Sequence, residues 1–263
     1  MRRPIVTLTT DFGLEDHFTG VMKGVILSIA PNAEIVDITH RIKPYEVTEG
    51  AFVMAQHYKW FPKKTVHVAV VDPGVGSLRR PIVVEGGGYR FVGPDNGIFS
   101  MVMAKEKCTV RELTNKRYFL KTVSETFHGR DVFAPVAAHL AKGVAASKLG
   151  KKVDDALRLS LGEVQRTGKR NWSGAILKID HFGNIITNFH RDDFPSLGLE
   201  QPFELTVGLE KVSQYVSSYS QAAEAVPFVI FGSSGYLEVG INQDNAAKRL
   251  GVGVGAPVDL TLW

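Results

Sequence analysis

The sequence predicts an α/β N-terminal domain followed by a smaller, mostly-β, barrel-like C-terminal domain. Three observations carry this. Up to Gly143, runs of β-branched and apolar residues alternate with segments of helical period, the pattern of a parallel or mixed sheet flanked by helices. From Trp172 onward, short strand-like runs dominate and only one stretch has helical character. Between the halves, Gly150-Lys151-Lys152 and QRTGKRN (165–171) are polar and charged. That puts the boundary at 160–172 and the domains at 1–165 and 172–263. A chain of 263 residues is long enough to bury a sizeable core in one or two domains.

In chain order, PIVTLTT (4–10) reads as a strand. DHFTGVMKGVILSIA (16–30) reads as a helix, because Phe18, Val21, Met22, Val25 and Ile29 recur at helical spacing before Pro31 stops it. AEIVDIT (33–39) is a second strand, and EVTEGAFVMAQHYKWF (46–61) a helix ended by Pro62. TVHVAVV (65–71) is almost continuously apolar, as expected of a strand covered on both faces. PIVVEGGGYRFVGPDNG (81–97) suggests two short strands about a glycine turn, and IFSMVMAKE (98–106) a helix. RDVFAPVAAHLAKG (130–143) reads as a helix with an internal proline and a glycine stop. In the second half, WSGAILKID (172–180), PFELTVG (202–208), PFVIFGSS (227–234), GYLEVGIN (235–242) and APVDLTLW (256–263) read as strands, and NQDNAAKRLG (242–251) as the helix. There is no internal repeat and no low-complexity tract.

Composition narrows the function classes. Hydrophobic residues make up 44% and charged residues 22%, ordinary for a globular protein, and the net charge is only +4. No Lys/Arg run marks a nucleic-acid surface, so no specific nucleic-acid partner is expected. Cys108 is the single cysteine, which rules out an intrachain disulfide and a cysteine-based zinc site. The N-terminal MRRPIVTLTTDFG lacks the apolar core of a signal peptide, and no run approaches the ~20 apolar residues of a membrane span. The expectation is a cytoplasmic protein without a membrane partner.

Three turns stand out: TTDFG (9–13), VVDPGVG (70–76) and KIDHFGNIITN (178–188). In each, an apolar strand runs into an aspartate with glycine close behind. Ligands of open α/β sheets bind beyond the carboxyl ends of strands, so Asp11 and Asp72 are candidates for one cleft. An aspartate after a strand also serves as an ordinary turn or helix cap. His128, in FHGRDVFAP (127–135), precedes an expected helix start and suits a cleft edge. Asp95-Asn96 in GPDNG reads equally as a plain β-turn. No P-loop, no GxGxxG after a strand, no HExxH and no GxSxG is present. Kinase, dinucleotide-binding, zinc-protease and serine-hydrolase readings therefore drop out.

Together these segments resemble the S-adenosyl-L-methionine hydrolase (adenosine-forming) family, relatives of fluorinase and chlorinase. The resemblance covers nearly the whole chain. It rests on TLTTDFG with VMKGVI, VDITHRIKPYEVTEGAF, HVAVVDPGVGSLRR, VGPDNG, FHGRDVFAPVAAHLA, IDHFGNIITN and GSSGYLEVGINQDNAA. It implies hydrolysis of S-adenosyl-L-methionine to adenosine and L-methionine, by attack of an activated water or hydroxide at ribose C5′. It further implies an α/β domain, a barrel-like domain and a homotrimer with sites at subunit interfaces.

The resemblance assigns Asp72, Arg79 and His128 to the water nucleophile, with Arg80 a bystander. The residue types suit that chemistry. A carboxylate or imidazole orients water and takes its proton, and a guanidinium favours hydroxide-like charge. Asp11 resembles the family's ribose-binding aspartate and Tyr45 its aromatic under the sugar. Phe182 and Phe127 suit packing on adenine or sugar. Asp180 and Asn184, with Ser233 and Ser234, suit the methionine end, and Tyr236 and Asn242 are further candidates. The halogenases carry an arginine at the position of Ser234, so the carboxylate clamp differs here. Neither a metal nor a cofactor is expected, because the sulfonium is already a good leaving group. The alternatives are an S-adenosylmethionine-dependent halogenase, which the Asp72–Arg79–His128 set speaks against, and a non-catalytic adenosine or S-adenosylmethionine sensor.

Overall fold

Strand after strand in the first half ends in a polar turn, and the sheet they build sets those turns side by side. The computed structural model describes residues 3–160, 162–197 and 202–263. The chain divides into two compact units, Met1–Leu159 and Ser160–Trp263.

The first unit runs β1 (Ile5–Thr10), α1 (Phe18–Ile29), β2 (Glu34–Thr39), α2 (Val47–His57), β3 (Val66–Val70), β4 (Pro81–Gly86), β5 (Tyr89–Pro94), α3 (Ser100–Lys105), β6 (Cys108–Glu112), α4 (Ala134–Ala141) and β7 (Lys152–Val153). Its seven-stranded sheet has the order β2-β1-β3-β5-β4-β6-β7. The β2-β1-β3-β5 half is parallel and the β4, β6 and β7 pairings are antiparallel. Alternation along the strands sends Val6, Leu8, Val66, Val68 and Val70 into a core with Met22 and Ile26 of α1 and Val136 and Leu140 of α4. Ala69, Val71, Ile82, Val84 and Phe91 join a second core with Met54 of α2 and Val102 of α3. This double cover explains why all of β3 is buried and reads as one apolar run.

Three expectations are refined. The helix expected at 130–143 begins as a π-turn, Gly129–Phe133, and becomes α-helical only at Ala134, where Pro135 occupies the first turn and forfeits no needed N–H donor. Strands β6 and β7, unforeseen, extend the antiparallel edge. The helix expected over 46–61 is α2 followed by a 3-10 turn, Tyr58–Trp60.

The second unit comprises β8 (Gln165–Arg166), β9 (Asn171–Ile179), β10 (Ile185–His190), β11 (Phe203–Val207), β12 (Glu210–Val212), β13 (Pro227–Phe231), β14 (Tyr236–Ile241), α5 (Ala246–Leu250) and β15 (Pro257–Leu262). Its eight-stranded sheet has the order β12-β11-β15-β9-β10-β14-β13, with β8 beside β9. A bridge between Tyr215 and Val229 links the segment after β12 to β13, so the sheet curls into a nearly closed, barrel-like form. Phe189, Leu205, Leu237, Val239, Val258 and Leu260 fill it. The helix expected at 242–251 is only α5, opened by Asn245, whose Oδ1 accepts the Lys248 N–H at 2.8 Å, and closed by left-handed Gly251. Among the described residues no helix is long and apolar enough to cross a membrane.

Candidate active site

Strands β1 and β3 are parallel neighbours with Thr10 opposite Val70, so the residues just beyond them emerge together. Asp11 follows β1 directly, and Asp72 follows β3 after Val71. Between Asp72 and Arg79 the backbone coils tightly: Val75 N–H donates to the Asp72 carbonyl, and Ser77 N–H to that of Gly74. Gly76 adopts φ +77°, and a Cβ there would lie 2.5 Å from the Glu125 carbonyl oxygen, so only glycine fits. The coil returns Arg79 to the aspartate that began it.

Arg79 Nε–H donates to both carboxylate oxygens of Asp72 at 2.9 Å, and Nη2 donates to Oδ2 at 2.5 Å. The two side chains are only 8% and 5% exposed. The same Nη2 donates to His128 Nδ1 at 2.7 Å. A guanidinium has no acceptor, so Nδ1 must be the bare nitrogen and the neutral imidazole carries its proton on Nε2. Burial, and then the Arg79 charge, hold the His128 pKa below the usual histidine value. Arg79 Nη1 is buried and has no hydrogen-bond partner among the described residues.

These groups open on a cavity of about 310 Å³ lined by Asp11, Phe12, Tyr45, Asp72, Phe127 and His128. Burial is the largest influence on Asp11 and raises its carboxyl pKa, with the nearby Asp72 charge adding to it and hydrogen bonds opposing it. One of those bonds comes from the Tyr45 N–H, 2.9 Å from Asp11 Oδ2. Tyr45 itself sits at φ +71° with 73% of its surface exposed. A tyrosine in the left-handed region is strained, and such strain concentrates at ligand sites. Phe127 packs edge-on against Phe12 and Phe18, with centroids 5.8 and 5.2 Å away, making a rigid apolar wall.

Arg80 turns elsewhere. Its Nε and Nη2 donate to Asp95 at 2.9 and 2.6 Å, and Nη1 to Asp155 at 2.8 Å. Asp95 also accepts the Leu157 N–H, and Asn96 Nδ2 donates to the Val71 carbonyl. Asp95 and Asn96 therefore brace the end of β3.

In the second unit, Asp180, Phe182, Asn184 and Asn242 come together around a cavity of about 630 Å³. Asp180 organises the turn: Oδ1 accepts the N–H groups of Phe182 and Asn184 at 2.9 and 2.8 Å, and Oδ2 accepts Asn184 Nδ2 at 2.9 Å. Gly183, at φ +90°, packs so closely on Asn245 that a Cβ would lie 2.2 Å from its Cγ. Phe182 stands 74% exposed. Tyr219 and Asn245 also line it and were not anticipated. Tyr219 donates to Glu238 at 3.1 Å, and burial and that carboxylate push its phenol up to about 12. Ser233, Ser234 and Tyr236 do not line this cavity: Ser234 Oγ is buried without a hydrogen-bond partner among the described residues, and the Tyr236 ring packs edge-on against His190. Among the described residues no group of three His, Cys, Asp or Glu side chains is arranged to hold a metal ion.

Known proteins share this chain's sequence and fold over nearly its whole length. The profile described as the SAM hydroxide adenosyltransferase N-terminal domain matches residues 6–150, and its C-terminal counterpart matches residues 174–259. A "(R)-S-adenosyl-L-methionine hydrolase" of Methanocaldococcus jannaschii is 38% identical, over 94% of this chain and 92% of that protein. A protein of the same name from Salinispora tropica is 35% identical over 98% of each. An uncharacterized conserved protein from Thermotoga maritima, 34% identical, has a crystal structure that matches with a TM-score of 0.90 over 98% of this chain and 99% of that one.

Proposed function

We propose, since this chain belongs to the SAM hydroxide adenosyltransferase family, that it hydrolyses S-adenosyl-L-methionine to adenosine and L-methionine. The observation that carries this reading is the Asp72–Arg79–His128 unit, joined by hydrogen bonds at the mouth of a cavity that also holds Asp11. Water oxygen attacks ribose C5′, and the C5′–S bond breaks with its electron pair going to sulfur. Methionine leaves as a neutral thioether, and the proton released from water passes to a base and then to solvent. No metal or further cofactor is needed, because the sulfonium supplies its own activation.

The hydrogen bonds support a role for each residue. Asp72 Oδ1 accepts only one N–H, so a lone pair remains to accept from water and take its proton. His128, with Nδ1 engaged, acts as a donor through Nε2–H toward the water oxygen. The Arg79 charge favours hydroxide-like character at this point. Asp11 accepts from the ribose hydroxyls, with Tyr45 against the sugar and Phe127 as the apolar wall. The α/β N-terminal domain thereby supplies the water and the sugar contacts. The barrel-like C-terminal domain supplies Asp180, Phe182, Asn184 and Asn242 for the rest of the substrate. Ser233, Ser234 and Tyr236 are assigned to the same end, reached from outside the cavity lining. In a homotrimer these two sets belong to neighbouring subunits, a heterologous contact that closes after three repeats.

Mixing subunits tests this. Asp72→Ala should lose about 10²–10⁴-fold in turnover yet still bind substrate. Asp180→Ala should also be inactive, and reassembled mixtures of the two should regain activity, because some sites pair two intact halves. Mixed trimers that stay inactive, or a fully active monomer, would refute the shared site.

A further inference from the structure

We propose that the N-terminal unit carries a second ligand site, a basic cavity that binds a small molecule bearing two or more phosphate groups. It lies at the opposite end of the strands that present Asp11 and Asp72. A six-residue strand such as β1 spans ~20 Å, so the two cavities do not overlap.

The cavity measures about 670 Å³ and takes Arg3, Lys63, Lys64 and Arg90 into its wall, with no carboxylate among its lining residues. Neither the guanidinium of Arg3 or Arg90 nor the ammonium of Lys64 has an ion pair or hydrogen bond among the described residues. Some cations elsewhere in this unit are paired, as Lys23 is with Asp37, Arg80 with Asp95 and Arg130 with Asp131. Lys63 is held by the Gly87 carbonyl and the Tyr89 ring, 4.3 Å from Nζ, and its charge also acts on the Glu106 carboxylate, so the free cations of the wall are Arg3, Lys64 and Arg90.

Two other nearby carboxylates leave Arg3 and Arg90 unpaired. Glu85 lies opposite Arg90 in the β4–β5 register but pairs with Arg111 at 4.0 Å. Glu34, opposite Ile5, is exposed and outside the lining. Capping of α4 does not account for the cluster. Its last carbonyls already accept backbone N–H groups, Gly143 to Leu140 and Val144 to His139. The chain also holds Lys64 at φ +72°, a left-handed conformation a lysine adopts at a cost.

The chemistry of the wall names the ligand class. Several unpaired cations without a carboxylate select a multiply charged anion, and arginine forks match phosphate oxygens two at a time. The volume falls in the usual range of small-molecule sites and exceeds what one phosphate would fill. Leu140 and Pro62 supply an apolar side for an organic portion.

Titration calorimetry of the full chain at low ionic strength tests the site, with inorganic triphosphate and ATP as probes and adenosine as a control for the other cavity. Both probes should bind saturably, one per chain, and weaken as salt rises. Tighter binding of ATP would assign the apolar side to a nucleoside, and equal binding would assign recognition to the phosphates alone. Arg90→Gln and Lys64→Gln should each weaken binding by roughly tenfold, with turnover of S-adenosylmethionine unchanged. Should Arg90→Gln misfold, Lys64→Gln on its exposed turn carries the same test. The proposal is overturned if neither probe saturates, or if both folded variants bind as the parent does.

Discussion

Removing the Arg79 guanidinium should dismantle the proposed water-activating unit in a way that pH can read. In the parent, this one group donates three N–H···O contacts to Asp72 and one to His128, almost wholly out of water. Arg79→Ala leaves the Asp72 carboxylate buried and unpaired, at a cost of about 3–5 kcal/mol while it stays ionised. Turnover should fall about 10²–10⁴-fold. The residual activity carries the sharper signature. Burial and the Arg79 charge lower the His128 pKa, so taking that charge away raises it. At an effective dielectric of ~20, a unit charge at this range is worth several kcal/mol, and ~1.4 kcal/mol suffices to move a pKa by one unit. The His128 ring of Arg79→Ala should therefore titrate at higher pH than in the parent, and the residual rate should require higher pH, its acid limb displaced upward. The assay is turnover against pH for parent and variant, with the His128 ring titration followed by NMR. An acid limb that stays in place or moves downward would refute the coupling of Arg79 to His128.

Arg80→Ala should leave turnover within a few-fold of the parent while costing stability of roughly 1–3 kcal/mol, because buried Asp95 loses its partner; denaturant melts and kinetics together check this. A silent Arg79→Ala beside a damaging Arg80→Ala would reverse the assignment. Burial depresses His67 to a pKa of about 3, so between that value and the ordinary 6.5 the unfolded chain binds a proton that the folded chain does not. Stability should therefore fall as pH drops below about 6.5 and level off near pH 3, a loss on the order of 5 kcal/mol from this group. His67→Phe, whose ring can keep the stack on Phe91, should flatten that slope, and melting temperature against pH measures it.

Much of this was legible in the sequence. The strand-then-aspartate pattern in TTDFG and VVDPGVG located two cavity residues, because a parallel sheet presents its carboxyl ends on one side. The hydrogen bond from Arg79 to His128 was not legible, since 49 residues separate them and only the tertiary fold brings them together. The choice between Arg79 and Arg80 rested on resemblance, and the tight coil at Gly74–Ser77 gives its physical reason. Strand β7 escaped notice because two residues carry no periodicity, and β10 because its polar Thr187 and Asn188 sit within a run already read as a turn. The left-handed backbone of Tyr45 had no sequence signal, since tyrosine does not advertise positive φ. Tyr219 was missed because it comes to the cavity from a turn distant in sequence from the Asp180 turn, and Asn245 because it lay within a run read as helix, where it is instead the cap.

The proposed mechanism stands or falls on whether water, oriented by Asp72, Arg79 and His128, attacks ribose C5′. The decisive measurement is turnover of S-adenosylmethionine in ¹⁸O-labelled water, with products read by mass spectrometry. Adenosine should carry one labelled oxygen, at the 5′ position, and methionine should stay unlabelled. Label in methionine, or adenosine formed without label, would contradict the mechanism.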